Sequence, residues 1–385
     1  MPIYKMDGKK DGLQKYRVRI NYTDQQGKAR QLDRVAYGAQ AAKDLERQLM
    51  RDLRAEISGK MTLNELYDRY MASKKNEVRE TTLDKAKQQL TKYVLPDLGN
   101  YKIDKLTAPV LQKWKDDLSD ITLKKGTKLS IKYKQNIYAA FIALLNYGVK
   151  MEFLEKNVLA TLGSFKDVSE IKKEMNYYTG DEFLLFIRAA HDAAETYENK
   201  TGSIHEWNYY VFFMIAFYTG MRKGEIFALK WSDIYDGTIH VTRSIAQKLK
   251  GEDRETPPKN KSSVRNIQLP QPLTAALNEH KDRCSKIEGF SNNWRICGGE
   301  RCVRDSTLDK RNRKYAADAG IKTIRIHDFR HAHASLLVNN GINIKEISRR
   351  LGHANVEITW NIYSHLYPKE EERALQVLNK IKFIV

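Results

Sequence analysis

From Tyr16 the chain alternates polar and apolar residues through YRVRINYTD, breaks at a QQG turn ending at Gly27, and resumes as an extended run through KARQLDRVAYG. A period of two on either side of a glycine turn predicts two paired strands. The period then lengthens. In AQAAKDLERQLMRDLRAEI the apolar positions Ala42, Leu45, Leu49 and Leu53 share one face of a helix.

Beyond residue 59 the helical period continues without strands. Thr62, with Glu65 three residues on, forms a capping-box pattern that satisfies end N–H groups reciprocally and predicts a helix start. The stretches MTLNELYDRYMASKK, TTLDKAKQQLTKYVLPDLG, LTAPVLQKWKDDLSD and KLSIKYKQNIYAAFIALLNYGVKMEFL read as successive helices, punctuated by Pro96, Gly99 and Pro109. A polar, aperiodic stretch follows and reads as a linker. A TGDE cap at Thr179 then opens a helix, and the strongly apolar run WNYYVFFMIAFYTGMRKGEIFALKW breaks at Gly220. TIHVTRSIAQKL and TPPKNKSSVRNIQLP alternate like strands of a small sheet. Past these lies a helix with Ile344, Ile347 and Leu351 inward, ended by Gly352. The expected fold class is multidomain α+β. A small sheet-plus-helix domain spans 1–58, an all-helical domain 59–165, a linker 166–178, and a mixed, mainly helical domain with a small antiparallel sheet 179–385.

Charge narrows the partner. Across 385 residues, 67 Lys+Arg stand against 48 Asp+Glu, a net charge of +19, and the sequence pI is about 9.5. Such an excess favours a polyanion, because each phosphate neutralised by a cation releases counterions. The excess is spread through all three segments, so contact through every domain fits better than one basic tail. No apolar run approaches the roughly 18 residues of a membrane span, and no signal peptide precedes the first charges, so a soluble intracellular protein is expected. Cys284, Cys297 and Cys302 cannot form a paired framework, and their spacing with His280 matches no compact zinc pattern; buried thiols in a reducing compartment are the simpler reading. Candidate phosphate contacts are Arg17, Arg19 and Arg30 on the first sheet, and Lys124, Lys125, Lys128, Lys132 and Lys134 in the helical segment. For the strand arginines, a solvated face that keeps an edge from pairing reads equally well.

The third segment carries the chemistry. Arg222 follows the break at Gly220, where its fork can meet a phosphate oxygen or simply pair with Glu225. Lys259 sits on the hairpin, with Lys261 a competitor, and a hairpin lysine can protonate a departing oxygen. In HDFRHAH, His327 and Arg330 are three apart on a helix, and an arginine between His327 and His331 opposes a metal there. His353 lies just past the Gly352 helix end, and Tyr363 follows ten residues later on another helix. One tyrosine among 21 is ordinarily packing.

Order changes this reading. Arg222, a hairpin lysine, His327-x-x-Arg330, Leu-Gly-His353 and Tyr363 together resemble the tyrosine recombinase (phage integrase) family, in its own order and spacing. The resemblance is close over the C-terminal half. The helical 59–165 segment is similar to the family's core-binding domain, and residues 1–58 to the arm-type DNA-binding domain of integrases from phages and conjugative transposons of Gram-positive bacteria. It implies a site-specific recombinase in which Tyr363 attacks the scissile phosphate to give a 3′-phosphotyrosyl link. Arg222 and Arg330 would hold the nonbridging oxygens, His327 would assist proton removal, His353 would hydrogen-bond the phosphate, and Lys259 would protonate the 5′ oxygen. No metal or nucleotide cofactor is implied. The implied partners are double-stranded DNA with core-type and arm-type sites, a homotetramer on DNA and an accessory excision factor. The tail from Tyr367 to Val385 offers Ala374, Leu375, Leu378 and Ile381 along one helical face, suited to exchange onto a neighbouring protomer or to folding back on its own domain. The implied location is the bacterial cytoplasm, at the nucleoid. A type IB topoisomerase-like strand relaxer and a catalytically silent DNA-binding protein are the alternatives.

Overall fold

The computed structural model describes residues 3–23, 28–58, 61–123, 126–166, 175–246, 254–256, 261–366, 375 and 378–380. The chain divides into two compact units, Met1–Ile171 and Lys172–Val385. Among the described residues no helix is long and apolar enough to cross a membrane.

The first unit opens with an antiparallel sheet in the order β1 (Ile3–Lys10), β2 (Leu13–Thr23), β3 (Ala29–Tyr37). The alternation of β2 puts Val18 and Ile20 on the face that packs against α1 (Ala39–Ser58), with Ala36 and Ala42 completing a small core. β1 lies outside the two strands that periodicity predicts. Its sequence IYKMDGKK is mostly exposed and has no apolar alternation, so it is held by pairing with β2.

The helical part comprises α2 (Leu63–Lys74), α3 (Glu80–Tyr93), α4 (Leu95–Leu98), α5 (Ala108–Asp120), α6 (Ile131–Lys150) and α7 (Val158–Thr161). The capping box at α2 is present: Glu65 N–H donates to Thr62 Oγ1 (3.3 Å), and Thr62 N–H donates to the Glu65 carboxylate (2.7 Å). Leu63, Leu66, Leu90, Trp114, Phe141 and Leu144 build a separate core, in which the Trp114 indole N–H donates to the Tyr93 carbonyl (2.8 Å).

In the second unit, α8 (Gly180–Thr201) carries a second capping box, Thr179 with Glu182. α9 (Trp207–Thr219) is apolar all round because it is central: α8, α11 (Gln271–Ser285) and α13 (Asp328–Asn339) all pack on it. Phe213 of α9 lies against Phe329 of α13 with ring centroids 5.0 Å apart. Burying each such ring contributes about 1.5–3 kcal/mol. α10 (Lys223–Ala228) follows, then strands β4 (Ile234–Tyr235), β5 (Thr238–Val241), β6 (Ser244–Ala246), β7 (Arg254–Thr256) and β8 (Arg265–Gln268). They form two sheets rather than one, β4-β5-β8 and β6-β7, all antiparallel. The run breaks between β5 and β6 at Arg243, whose guanidinium turns back to Asp233 (2.6 Å). The unit also contains α12 (Asp305–Asp318), α14 (Ile344–Leu351) and α15 (Val356–Tyr363).

Candidate active site

α9 stops at Gly220, whose left-handed backbone (φ +62°) reverses the chain into α10. A Cβ at this position would lie 2.7 Å from the His333 ring and 2.8 Å from Leu351, so the turn also lets α13 and α14 approach. Arg222 caps α10. Its backbone N–H donates to the Glu225 carboxylate (2.9 Å), Nη1 donates to the same carboxylate (3.0 Å), and Nη2 donates to the Gly352 carbonyl (3.2 Å). The ion pair and the reach toward the His353 turn therefore coexist. The Arg222 side chain keeps 38% of its surface exposed, whereas Glu225 keeps 5%.

A second arginine lies beneath. Arg265 Nη2 donates to Glu225 (2.9 Å), Nε to the Arg350 carbonyl (2.6 Å) and Nη1 to the Ser263 carbonyl (3.0 Å). Burial pushes the Glu225 carboxyl up, but Arg265, with Arg222, outweighs it and holds the group below the usual carboxylate range. Arg265 was missed by sequence reasoning, although a signal existed: it shares the inward face of β8 with Ile267, between exposed Asn266 and Gln268.

Arg330, on the first turn of α13, is 4% exposed. Its Nη1 donates to the Gly220 carbonyl (2.6 Å), and its Nη2 is buried with no hydrogen-bond partner among the described residues. Burial, then the charges of Arg222 and Arg265, push its pKa down to about 9, so it stays cationic at neutral pH. His353 follows Gly352, the left-handed cap of α14, and its Nδ1 lies 2.7 Å from Thr359 Oγ1. Burial, then Arg330, Arg222 and Arg265, push His353 down to about 3, so the ring is neutral. Tyr363, at the end of α15, is 1% exposed. Burial raises its hydroxyl pKa against the opposing pull of Arg330.

The Tyr363 hydroxyl meets His331, not His327: Oη lies 2.7 Å from His331 Nδ1. His327 stands one helical turn before, its ring 5.2 Å from that of His331, and burial pushes it down to about 4. Five of the predicted site residues, Arg222, His327, Arg330, His353 and Tyr363, are thus gathered on α10, α13, the α14 cap and α15. Lys259 lies outside the described residues, and the side chain of Lys261 is likewise not described.

The predicted DNA contacts lie in the first unit. Arg17 and Arg19 both pair with Asp33 across β2 and β3, Arg19 at 3.3 Å. Arg30 is exposed on β3. Lys128 pairs with Asp120 (3.0 Å), Lys132 is exposed, and Lys134 sits 5.2 Å from the Phe165 ring. Lys124 and Lys125 fall outside the described residues. Cys284, Cys297 and Cys302 are buried and form no disulfide; burial pushes the first two up, Cys284 to about 11. Among the described residues no group of three or more metal-ligating side chains is placed to hold an ion.

The phage integrase family model matches residues 187–370, and the model of the phage integrase N-terminal SAM-like domain matches residues 62–119. The ICEBs1 integrase of Bacillus subtilis (strain 168) is 25% identical over 357 residues, covering 90% of this chain and 91% of its own length. In fold, the chain is similar to the Tn1549 transposon integrase in complex with transposon right end DNA, at a TM-score of 0.63 and 19% identity, over 83% of this chain and 100% of that one. It is also similar to a lambda integrase tetramer bound to a Holliday junction, at a TM-score of 0.55 and 18% identity, over 92% and 96% of the two chains.

Proposed function

The chain belongs to the phage integrase family of tyrosine recombinases, and from that premise we propose that it cuts and rejoins DNA at specific sites through a 3′-phosphotyrosyl intermediate. Tyr363 Oη attacks phosphorus, and the P–O5′ bond breaks. Arg222 and Arg330 neutralise the nonbridging oxygens, neutral His353 hydrogen-bonds one of them, His327 assists the tyrosine proton's removal, and Lys259 protonates the 5′ oxygen. The phosphotyrosine conserves the bond energy of the strand, so religation needs no other energy source.

One observation carries this reading: among the described residues Arg330 Nη2 is buried without a partner, while Tyr363 stands close enough for the two groups to bear on each other's ionisation. A buried donor left unpaired costs about 1–3 kcal/mol, and a phosphate oxygen is a matching acceptor. Fixed cations around a developing pentavalent phosphorus supply stabilisation that needs no reorganisation during the reaction.

Around this centre, three domains divide the DNA. Residues 59–165 and 179–385, joined through 166–178, grip the core-type site; 1–58 reads the arm-type site. Arg17, Arg19 and Arg30 serve the arm site, and Lys124, Lys125, Lys128, Lys132 and Lys134 track core-site phosphates. Four protomers assemble on DNA and exchange the tail from Tyr367 to Val385, and an accessory factor sets the excision direction.

The test is a nicked suicide duplex. The wild type forms a covalent, denaturation-resistant adduct, and Tyr363→Phe forms none; an adduct retained in that variant overturns the assignment. Exchange of strands between two labelled sites then marks a recombinase, whereas relaxation without exchange marks a topoisomerase. On native gels of the same complexes, truncation after Tyr367 removes the tetramer band if tails are exchanged.

A further inference from the structure

The nucleophile needs a proton acceptor. Tyr363 is enclosed, and its hydroxyl, raised by burial, is neutral at physiological pH. A neutral phenol is a poor nucleophile toward a phosphodiester unless its proton leaves as the bond forms. The group that receives this proton must stand within about 2.6–3.2 Å of the oxygen or reach it through one water. His331 Nδ1 is at 2.7 Å, with the rings 5.7 Å apart and tilted. Among the described residues no hydrogen bond joins His327 to Tyr363.

We infer that His331 is a catalytic residue of this chain: its Nδ1 takes the Tyr363 hydroxyl proton as Oη attacks phosphorus. The inference rests on Tyr363 being the nucleophile and replaces the assistance assigned to His327. The step balances. The Oη–H bond breaks and its proton passes to Nδ1; the Oη–P bond forms; the P–O5′ bond breaks, and its electron pair leaves on the 5′ oxygen, which the acid Lys259 protonates. On religation the 5′-hydroxyl returns its proton to Lys259 as its oxygen attacks phosphorus, the Oη–P bond breaks, and His331 returns its proton to Oη.

The surroundings suit a base that starts neutral. Burial lowers the His331 pKa; Asp328 opposes this, and Arg325 and Arg330 add to it. Titratable groups near it among the described residues are His327 one turn back on α13, Tyr363 on α15 and His353, whose pKa His331 helps lower; exposed His365 lies on the short turn after α15, which packs on α13. Arg325 is drawn toward Asp328, which accepts its Nη2 (2.7 Å) and Nε (2.9 Å). His331 therefore faces a paired cation rather than a free one. Its position also has helical logic: one residue beyond Arg330, it turns toward α15 while Arg330 turns toward Gly220.

The experiment measures single-turnover adduct formation on the suicide duplex across pH, with gel shifts for DNA binding, for wild type, His331→Asn, His331→Ala and His327→Asn. Asparagine places an acceptor near the Nδ1 position, so it can hold the hydroxyl but cannot take its proton. Expected are DNA binding at wild-type level and adduct formation slowed about 10²–10⁴-fold in both His331 variants, the range for loss of a general base. The acid limb of the wild-type pH profile should vanish with them. A His331→Asn enzyme at full rate overturns the inference, because a tether alone would then suffice. A faster His331→Ala enzyme overturns it in favour of a latch, and a deficit found only in His327→Asn returns the proton to His327. Failure of the underlying reading looks different: the wild type itself would form no adduct, or Tyr363→Phe would form one.

Discussion

Glu225 illustrates how one carboxylate can order two cations. It accepts from Arg222 and from Arg265, and both it and Arg265 are nearly sealed from solvent. Removing one partner of a buried pair leaves the other charge uncompensated, at a cost of about 3–5 kcal/mol. Glu225→Ala should therefore lower stability by that amount in chemical denaturation, and the fraction that stays folded should form adduct slowly because Arg222 loses its anchor. A loss under 1 kcal/mol would show that Arg265 finds another acceptor. Motif order made Arg222 and Tyr363 legible, but His331 and Arg265 were not. Each reads in sequence as an ordinary polar residue, and its role depends on a partner 32 or 40 positions away.

The turns between helices position these side chains as much as the helices do. Gly220 ends α9, its carbonyl receives Arg330, and its bare Cα lets His333 and Leu351 close in. Gly352 plays the same part at the end of α14: its carbonyl receives Arg222, and a Cβ there would lie 3.0 Å from the Arg265 guanidinium. Gly220→Ala combines a left-handed backbone, costing about 1–3 kcal/mol for a residue with a side chain, with a clash on packed neighbours. It should lower the melting temperature and slow adduct formation more than it weakens DNA binding, since Arg330 moves with the carbonyl it holds. Equal losses in both assays would mean that the substitution only unfolds the unit. Both capping boxes and both glycine stops were legible, because local hydrogen bonding and φ sign determine them. β1 was not, since pairing with β2 rather than its own periodicity makes it a strand.

Burial holds five histidines of the second unit below the ordinary 6.5: His280 and His327 near 4, His333 and His353 near 3, and His331 lowered as well. In the unfolded chain each takes up a proton below pH 6.5, while the folded protein does not. Stability is then complete above pH 6.5 and declines as pH falls toward 4, because the unfolded state binds more protons throughout that window. Thermal melts should show the melting temperature dropping between pH 7 and 5, before most carboxylates titrate; a flat profile there would contradict the burial of these rings. The linear pattern determined helices of both units, strands β2 and β3 of the N-terminal sheet, the basic character and the order of the site motifs, all of which follow from local periodicity, capping and composition. Only the tertiary structure decided that Tyr363 leans on His331, that Glu225 joins Arg222 to Arg265, and that Arg330 keeps a buried donor unpaired among the described residues. Those contacts join segments distant along the chain, and nothing in local sequence specifies which polar groups burial will bring face to face.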